Sequence, residues 1–85
     1  MKIAVYDTYV TTDANTTMHF DILVAENTTV EKVYAYGKTY LASKGVLDYK
    51  LTTEECRFCH MENAPEQMEK LVLRNGYYII EMENC

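Results

Sequence analysis

Residues 18–24 read MHFDILV, and this stretch decides the fold. Every second residue from Met18 to Val24 is apolar, and the polar residues His19 and Asp21 fall between them. Successive side chains of a β-strand point to opposite faces of the sheet, so this alternation is typical of a strand. The stretch therefore predicts a β-strand with one plainly apolar face.

The residues before this stretch predict a second strand that pairs with it. Residues 2–10 are rich in β-branched and aromatic side chains, and Ile3 and Val5 alternate with their neighbours. Residues 11–16 are polar and suit a hairpin loop. Because the connection is short, we expect the two strands to be antiparallel.

A helix follows the hairpin. Thr28 and Glu31 have the spacing of a capping box, in which each side chain satisfies an amide at the start of the helix. From Val30 to Leu41 the apolar residues recur with helical period. Gly45 has the position of a C-terminal stop. These signals predict a first helix that ends near residue 44.

The remaining residues predict a strand, a helix and a strand. Residues 46–53 suit a connector, and the alternation in residues 56–61 permits a third strand. Pro65 predicts the start of a second helix, and Gly76 predicts its end. Residues 77–83 begin with four aromatic and β-branched side chains, which predicts a final strand.

The order of elements is therefore β-β-α-β-α-β in a single domain of residues 1–85. A chain of this size buries only about 60–65% of the surface that its unfolded form exposes, so its core is small. We predict an α+β fold, a two-layer sandwich in which two helices cover one face of a four-stranded mixed sheet.

The charge balance excludes some classes of partner. The chain has 8 basic and 13 acidic residues, a net charge of −5, and its basic residues form no run. A nucleic-acid or anionic-membrane surface needs a basic patch, so neither is an expected partner. No apolar run approaches the roughly 18 residues of a membrane span. The first residues lead directly into a strand without a secretory signal, so we expect the cytoplasm, where thiols stay reduced.

Four segments carry a resemblance to a known family. They are VYDTYV at 5–10, MHFD at 18–21, ECRFCH at 55–60, and GYYII at 76–80 with Met82, Glu83 and Cys85. Together they resemble a family of short, mostly bacterial proteins known only as the domain of unknown function numbered twenty twenty-four. The resemblance implies a compact α/β fold of the order given above. It implies no activity and no site residues, because the family has no established activity.

A zinc site is the sharpest hypothesis for the Cys-x-x-Cys-His segment. The spacing of Cys56 and Cys59 allows two thiolates to bind a single Zn²⁺. Cys85 and one histidine would complete four ligands, and His19 suits this better than His60, which adjoins Cys59. A regular strand argues against this site, because it would point Cys56 and Cys59 to opposite faces. Zinc is thus an alternative, and no cofactor is the main expectation.

Three other interpretations of this segment remain open. Cys56 and Cys59 could cycle between dithiol and disulfide beside the cationic Arg57, although the usual redox pair stands at the start of a helix. The literal string also matches haem attachment through His60, which we regard as a chance match because the fold has no room for a porphyrin. The favoured interpretation is that the two cysteines are small core residues that need no special chemistry.

A second polar cluster falls on the first hairpin. Asp7, His19 and Asp21 are predicted on its two paired strands, and a histidine flanked by carboxylates can act as an acid or base near neutral pH. The sequence places no nucleophile with them. The simpler interpretation is a solvent-facing hairpin surface on which His19 is hydrogen-bonded to an aspartate.

These observations favour a non-catalytic binding or interaction module over an enzyme. Eight tyrosines could form a surface for a protein partner or a second copy, since tyrosine is enriched at interfaces. The alternative is a small zinc-binding or thiol-redox protein that uses Cys56, Cys59 and Cys85. The distances among the three sulfur atoms separate these two classes of function.

Overall fold

The computed structural model describes residues 1–12, 16–46 and 56–85, which form a sheet and two helices. The elements are β1 (Lys2–Thr11), β2 (Thr17–Ala25), α1 (Val30–Ser43), β3 (Cys56–Asn63), α2 (Glu66–Asn75) and β4 (Tyr77–Glu83). Their order confirms the prediction of an α+β fold with the sequence β-β-α-β-α-β. Most of the predicted connector at 46–53 and part of the predicted hairpin loop lie outside the described residues. Neither described helix has the length and apolar character needed to cross a membrane.

The four strands lie in the order β3-β1-β2-β4, so β1 and β2 form the centre of the sheet. Each neighbouring pair is antiparallel. The prediction of a mixed sheet is therefore wrong in this detail. Strands β2 and β3, which are joined across α1, do run in the same direction, but β1 lies between them and prevents a parallel pair.

One face of the sheet packs against α1, and we call it the α1 face. Alternate residues of β1 and β2 contribute to it, including Val10, Phe20 and Ile22, which are fully buried. From the helix, Val33 and Leu41 pack against them. This is the apolar face that the alternation in residues 18–24 predicts, so the core of the protein lies where the sequence pattern places it.

The opposite face packs against α2 and is called the α2 face. Its buried core consists of Ile3, Val5 and Leu23, against which Met68 of α2 and Ile80 of β4 pack. The two helices thus cover opposite faces, and the prediction that both cover one face in two layers is wrong. The physical reason is that the paired ends of β1 and β2 carry apolar side chains on both faces, and each face needs a cover.

Helix α1 begins one residue later than the sequence predicts. Its N-cap is Thr29, whose hydroxyl oxygen accepts a hydrogen bond from the Lys32 amide at 3.4 Å. The predicted cap, Thr28, instead donates its amide to the Ala25 carbonyl in the preceding turn. Glu31 lies in the first turn, where its charge complements the helix dipole.

Glycines end both helices, as predicted. Gly45 has a φ of +75° and Gly76 a φ of +90°, a backbone region that other residues rarely adopt. The two glycines differ in their surroundings. A Cβ on Gly45 would meet nothing within 4 Å, whereas one on Gly76 would overlap the Tyr36 hydroxyl and lie 2.9 Å from Cζ of that ring. Tyr36 is held there by stacking on Tyr77, with ring centroids 4.5 Å apart.

We therefore expect the same substitution to have unequal costs at the two sites. Gly45→Ala should lower the free energy of unfolding by about 1 kcal/mol, the cost of a left-handed conformation. Gly76→Ala should lower it by about 2–3 kcal/mol, because Tyr36 must also leave its stack on Tyr77. Urea denaturation followed by circular dichroism measures both values. Equal losses would contradict the close approach of Tyr36 to Gly76.

Candidate functional site

Helix α2 covers the end of the α2 face that carries Val5 and Leu23, and polar side chains occupy the other end. We define this polar half by five residues whose side chains lie on the same face and are half-buried or exposed. They are Asp7, Tyr9, His19, Asp21 and Glu83. Tyr9 is 44% exposed. The polar half is therefore accessible to a ligand, on a surface formed by β1, β2 and β4.

The register of β1 and β2 brings Asp7, His19 and Asp21 together, as the sequence predicts. Asp7 lies directly opposite Asp21, and Tyr9 lies directly opposite His19. His19 Nε2 is 2.5 Å from Asp7 Oδ1, and the His19 ring stacks on Tyr9 with centroids 4.2 Å apart and planes 11° apart. The imidazole is thus fixed at its edge by a carboxylate and on its face by an aromatic ring.

The carboxyl group of Asp21 lies in the least satisfied position of the cluster. Its Oδ1 is buried and has no hydrogen-bond partner among the described residues. Burial, and then the hydrogen bond and charge of Asp7, raise the pKa of Asp21 from its ordinary 3.8 to about 6, while His19 and His60 oppose this rise. Asp21 therefore retains its proton up to about pH 6, well above the range in which an ordinary aspartic acid is neutral.

The negative charge of this cluster also affects the neighbouring Tyr9. The pKa of Tyr9 is raised, first by the charge of Asp7 and then by desolvation and by Glu83. Glu83 is brought opposite His19 by an irregularity in the pairing of β2 with β4, at which Met82 has no direct partner. The sequence analysis missed Glu83, because nothing in the local pattern of β4 indicates this shift in register.

The ligand geometry suits a cation. One ligand atom from each of Asp7, His19 and Asp21 can be chosen so that all three lie within 4.8 Å of one another. Imidazole and carboxylate groups together are ligands that divalent transition metals accept. His19, which the sequence offers both to a thiolate site and to this cluster, thus lies with the two carboxylates.

Cys59 and Cys85 do not converge. Cys59 lies on β3 and Cys85 follows β4, and these are the two outer strands of the sheet. With neighbouring strands about 4.8 Å apart, the outer strands are about 14 Å apart, too far for thiolates to share one ion. Cys85 donates its thiol to the His19 carbonyl at 3.4 Å. The side chain of Cys56 is outside the described part of the chain.

The prediction that Cys59 is a core residue is wrong, because its side chain is exposed. Strand β3 contains a bulge: His60 pairs with Val5 and Phe58 with Tyr6, which leaves Cys59 as an extra residue. The Cys59 sulfur lies 3.2 Å from Nδ1 of His60, which is also exposed. The alternation of Phe58 with His60 predicts one shared face, but the bulge turns these two side chains to opposite faces.

Another polar cluster, which the sequence analysis missed, ties α1 to β4. The Tyr40 hydroxyl donates to Glu81 at 2.5 Å, and Lys44 forms an ion pair with the same carboxylate at 2.8 Å. Lys44, and then Tyr40, lower the pKa of Glu81. The three residues are far apart in sequence, so only the tertiary fold reveals the cluster. Its location on the α1 face separates it from the polar half of the α2 face.

Comparison with protein families confirms the resemblance. The model described as "Domain of unknown function (DUF2024)" matches residues 1–82. The chain belongs to the DUF2024 family. The NMR structure of protein NE1680 from Nitrosomonas europaea is similar, with a TM-score of 0.88 and 41% sequence identity over 100% of this chain and 99% of that one. Comparison with curated proteins gives no significant match.

The raised pKa of Asp21 predicts how stability depends on pH. Its folded-state pKa exceeds the unfolded value, so its contribution is fully present below about pH 4 and is lost as the pH rises through about 6. Asp21→Asn keeps the shape of the neutral group. We therefore expect this variant to melt about 4 °C above the wild type at pH 7.5, corresponding to about 1 kcal/mol after allowing for solvent screening.

Thermal melts of both proteins from pH 4 to pH 8 measure this difference. At pH 4 the two melting temperatures should coincide, because Asp21 is then neutral in the wild type. Glu26→Gln, a substitution at an exposed carboxylate in the turn after β2, serves as a control for the loss of one negative charge. A gap between Asp21→Asn and the wild type that is the same at every pH would contradict the assignment.

Proposed function

We propose that this DUF2024 chain is a small, non-catalytic binding module, and that the polar half of the α2 face binds a cationic side chain of a protein partner. One observation carries the proposal. Asp7 and Asp21 face each other across β1 and β2, and Asp21 Oδ1 is buried without a hydrogen-bond partner among the described residues. A rotation of the Asp21 side chain would expose this oxygen, which could then accept a hydrogen bond from a donor on the partner.

The charge of the site favours a cationic donor. Two carboxylates directly opposite each other on neighbouring strands repel one another. In the isolated chain, the hydrogen bond between Asp7 and His19 and, below about pH 6, the proton on Asp21 reduce this repulsion. A lysine or arginine side chain would replace the proton and donate hydrogen bonds to Asp21. Charge-assisted hydrogen bonds of this kind are about twice as strong as neutral ones.

The aromatic side chains of the surface support the same ligand. The Tyr9 ring is 44% exposed and lies beside the carboxylates. Aromatic rings attract cations that approach their faces, and tyrosine is enriched in protein interfaces. The net charge of −5 gives a basic partner a favourable long-range attraction as well.

His19 has a fixed orientation in the site. Its Nε2 is hydrogen-bonded to Asp7 and Tyr9 stacks on one face of its ring, so it also orients Asp7 for a ligand. The sequence places no nucleophile beside this pair, which makes binding the simpler interpretation.

A titration with basic peptides tests this proposal. Short poly-arginine and poly-lysine peptides should shift the backbone amide signals of Tyr9, His19 and Asp21 in ¹H–¹⁵N spectra, whereas poly-glutamate should not. Asp21→Asn should weaken the binding about tenfold, since it removes the charge from a charge-assisted hydrogen bond. Glu31→Gln, at an exposed position on α1, should bind like the wild type. Shifts located elsewhere, or equal binding by Asp21→Asn, would contradict this surface as the site.

A divalent metal ion is the second candidate ligand. It is favoured by the ligand atoms of Asp7, His19 and Asp21, which lie within 4.8 Å of one another. Bonds of about 2.0–2.2 Å to a tetrahedral Zn²⁺ separate its ligand atoms by about 3.4 Å, so small side-chain rotations would suffice. This candidate site shares His19 with the zinc site predicted from the sequence, but the carboxylates of Asp7 and Asp21 take the place of the thiolates.

Titration with Zn²⁺ of the untagged protein separates the two sets of ligands. Calorimetry should give one zinc ion per chain, and His19→Gln and Asp21→Asn should each remove this binding. Cys59→Ser and Cys85→Ser should retain it, because their sulfur atoms lie outside the cluster. Affinity should fall as the pH drops below about 6, where protons compete for the ligands. Binding that is lost in Cys59→Ser but retained in Asp21→Asn would place the zinc at the thiols and overturn this candidate.

A further inference from the structure

The outer edge of β3 is the most exposed part of the described sheet. Every residue from 57 to 63 is exposed, and two of them are large apolar residues, Phe58 at 54% and Met61 at 42%. Strand β3 pairs with β1 on one side, and no described strand pairs with its other side. Its outward N–H and C=O groups are therefore a template for a further strand.

The bulge at Cys59 decides which side chains of β3 share a face. Phe58 lies opposite Tyr6 and Met61 opposite Ala4, so both belong to the α1 face. Arg57 lies opposite Asp7 and Glu62 opposite Ile3, so both belong to the α2 face. In a regular strand, residues separated by an odd number of positions point to opposite faces. The extra residue therefore brings Arg57 and Glu62 to one face, and Phe58 and Met61 to the other.

We propose that β3 is an interface for a second copy of this chain. Two β3 strands pair antiparallel about a two-fold axis that runs perpendicular to the sheet between Cys59 and His60. In this register Arg57 lies opposite Glu62 of the partner subunit, and Phe58 lies opposite Met61 of the partner subunit. The inference does not depend on the proposed function, because it uses the outer edge of β3 and not the carboxylates of the polar half.

The sequence of β3 is complementary to itself in this register. Each copy contributes one cation and one anion, and the two-fold axis sets opposite charges against each other twice on the α2 face. On the α1 face it sets two pairs of exposed apolar side chains against each other. Both kinds of cross-strand pair stabilise an antiparallel sheet. The bulge lies at the centre of the paired segment. Residues that face each other across the axis therefore point to the same face on both sides of it.

The resulting dimer has one continuous antiparallel sheet. Both α2 helices and both polar halves lie on the same side of it, since a perpendicular two-fold axis preserves the faces. The two β1 strands are then about 14 Å apart, three strand spacings. A partner with two cationic groups could contact both polar halves at once. A single pair of strands buries less than a standard interface, so we expect a reversible dimer of the transient class.

Charges and bulges on an edge strand can also protect it against pairing. Charge reversal distinguishes this protective role from the proposed role in dimerisation. Arg57→Glu sets two anions against each other on both sides of the axis, and Glu62→Arg sets two cations. Each variant alone should associate more than about tenfold more weakly than the wild type, since like charges placed together suppress association. If the charges only protect the edge, neither reversal weakens association.

Mixing provides the decisive experiment. An equimolar mixture of Arg57→Glu and Glu62→Arg should form a heterodimer, because opposite charges again face each other at both positions. The double variant Arg57→Glu/Glu62→Arg should likewise recover self-association. Sedimentation velocity from about 10 µM to 1 mM covers the range expected for a transient interface. Lys38→Glu, which changes the net charge as Arg57→Glu does but at an exposed position of α1, should dimerise like the wild type.

Two results would contradict the dimer itself. A wild type that is monomeric over this range, or single variants that associate as well as the wild type, would overturn it. Failure of the mixture to associate would overturn the register. Thermal melts establish that each variant is folded. Glu62→Arg lies away from the polar half and should still bind poly-arginine as the wild type does, so a failure of the dimer is distinguishable from a failure of the proposed function.

Discussion

The pairing of β1 with β2 is the constraint on which the rest of the structure depends. The pairing holds one register from Ile3 opposite Ala25 to Thr11 opposite Thr17. Because side chains alternate between faces, this register determines both cores of the protein at once. A slip of one residue would carry the fully buried Phe20 away from α1 and leave His19 in its place. Both helices and both outer strands dock on this central pair.

The same register produces the polar half of the α2 face. It sets Asp7 against Asp21 and Tyr9 against His19, a short distance from the apolar residues that α2 covers. Opposed carboxylates weaken a sheet, and here the hydrogen bond between Asp7 and His19 and, below about pH 6, the proton on Asp21 reduce that cost. The apolar clusters on both faces of the central strands offset the remaining cost. A surface that accepts a proton so readily is also suited to accept a cation.

Local sequence patterns predicted the helices and strands, because each pattern reflects a physical requirement that neighbouring residues satisfy. Helix ends at Gly45 and Gly76 require a positive φ that glycine adopts without strain, so these boundaries are readable from the chain. The N-cap was displaced by one residue, because Thr28 and Thr29 are both competent caps and the preceding turn uses Thr28. The hairpin cluster was also predictable, since neighbouring strands joined by a short loop must pair.

By itself, the sequence determined the order of strands and helices, the face of β2 that α1 buries, and the grouping of Asp7 with Asp21. Only the tertiary structure decided that the helices cover opposite faces and that Cys59 and Cys85 stand on opposite outer strands. The reason is that alternation and capping act between neighbours in the chain. The order of strands in a sheet, and a bulge such as that at Cys59, depend on contacts between distant segments.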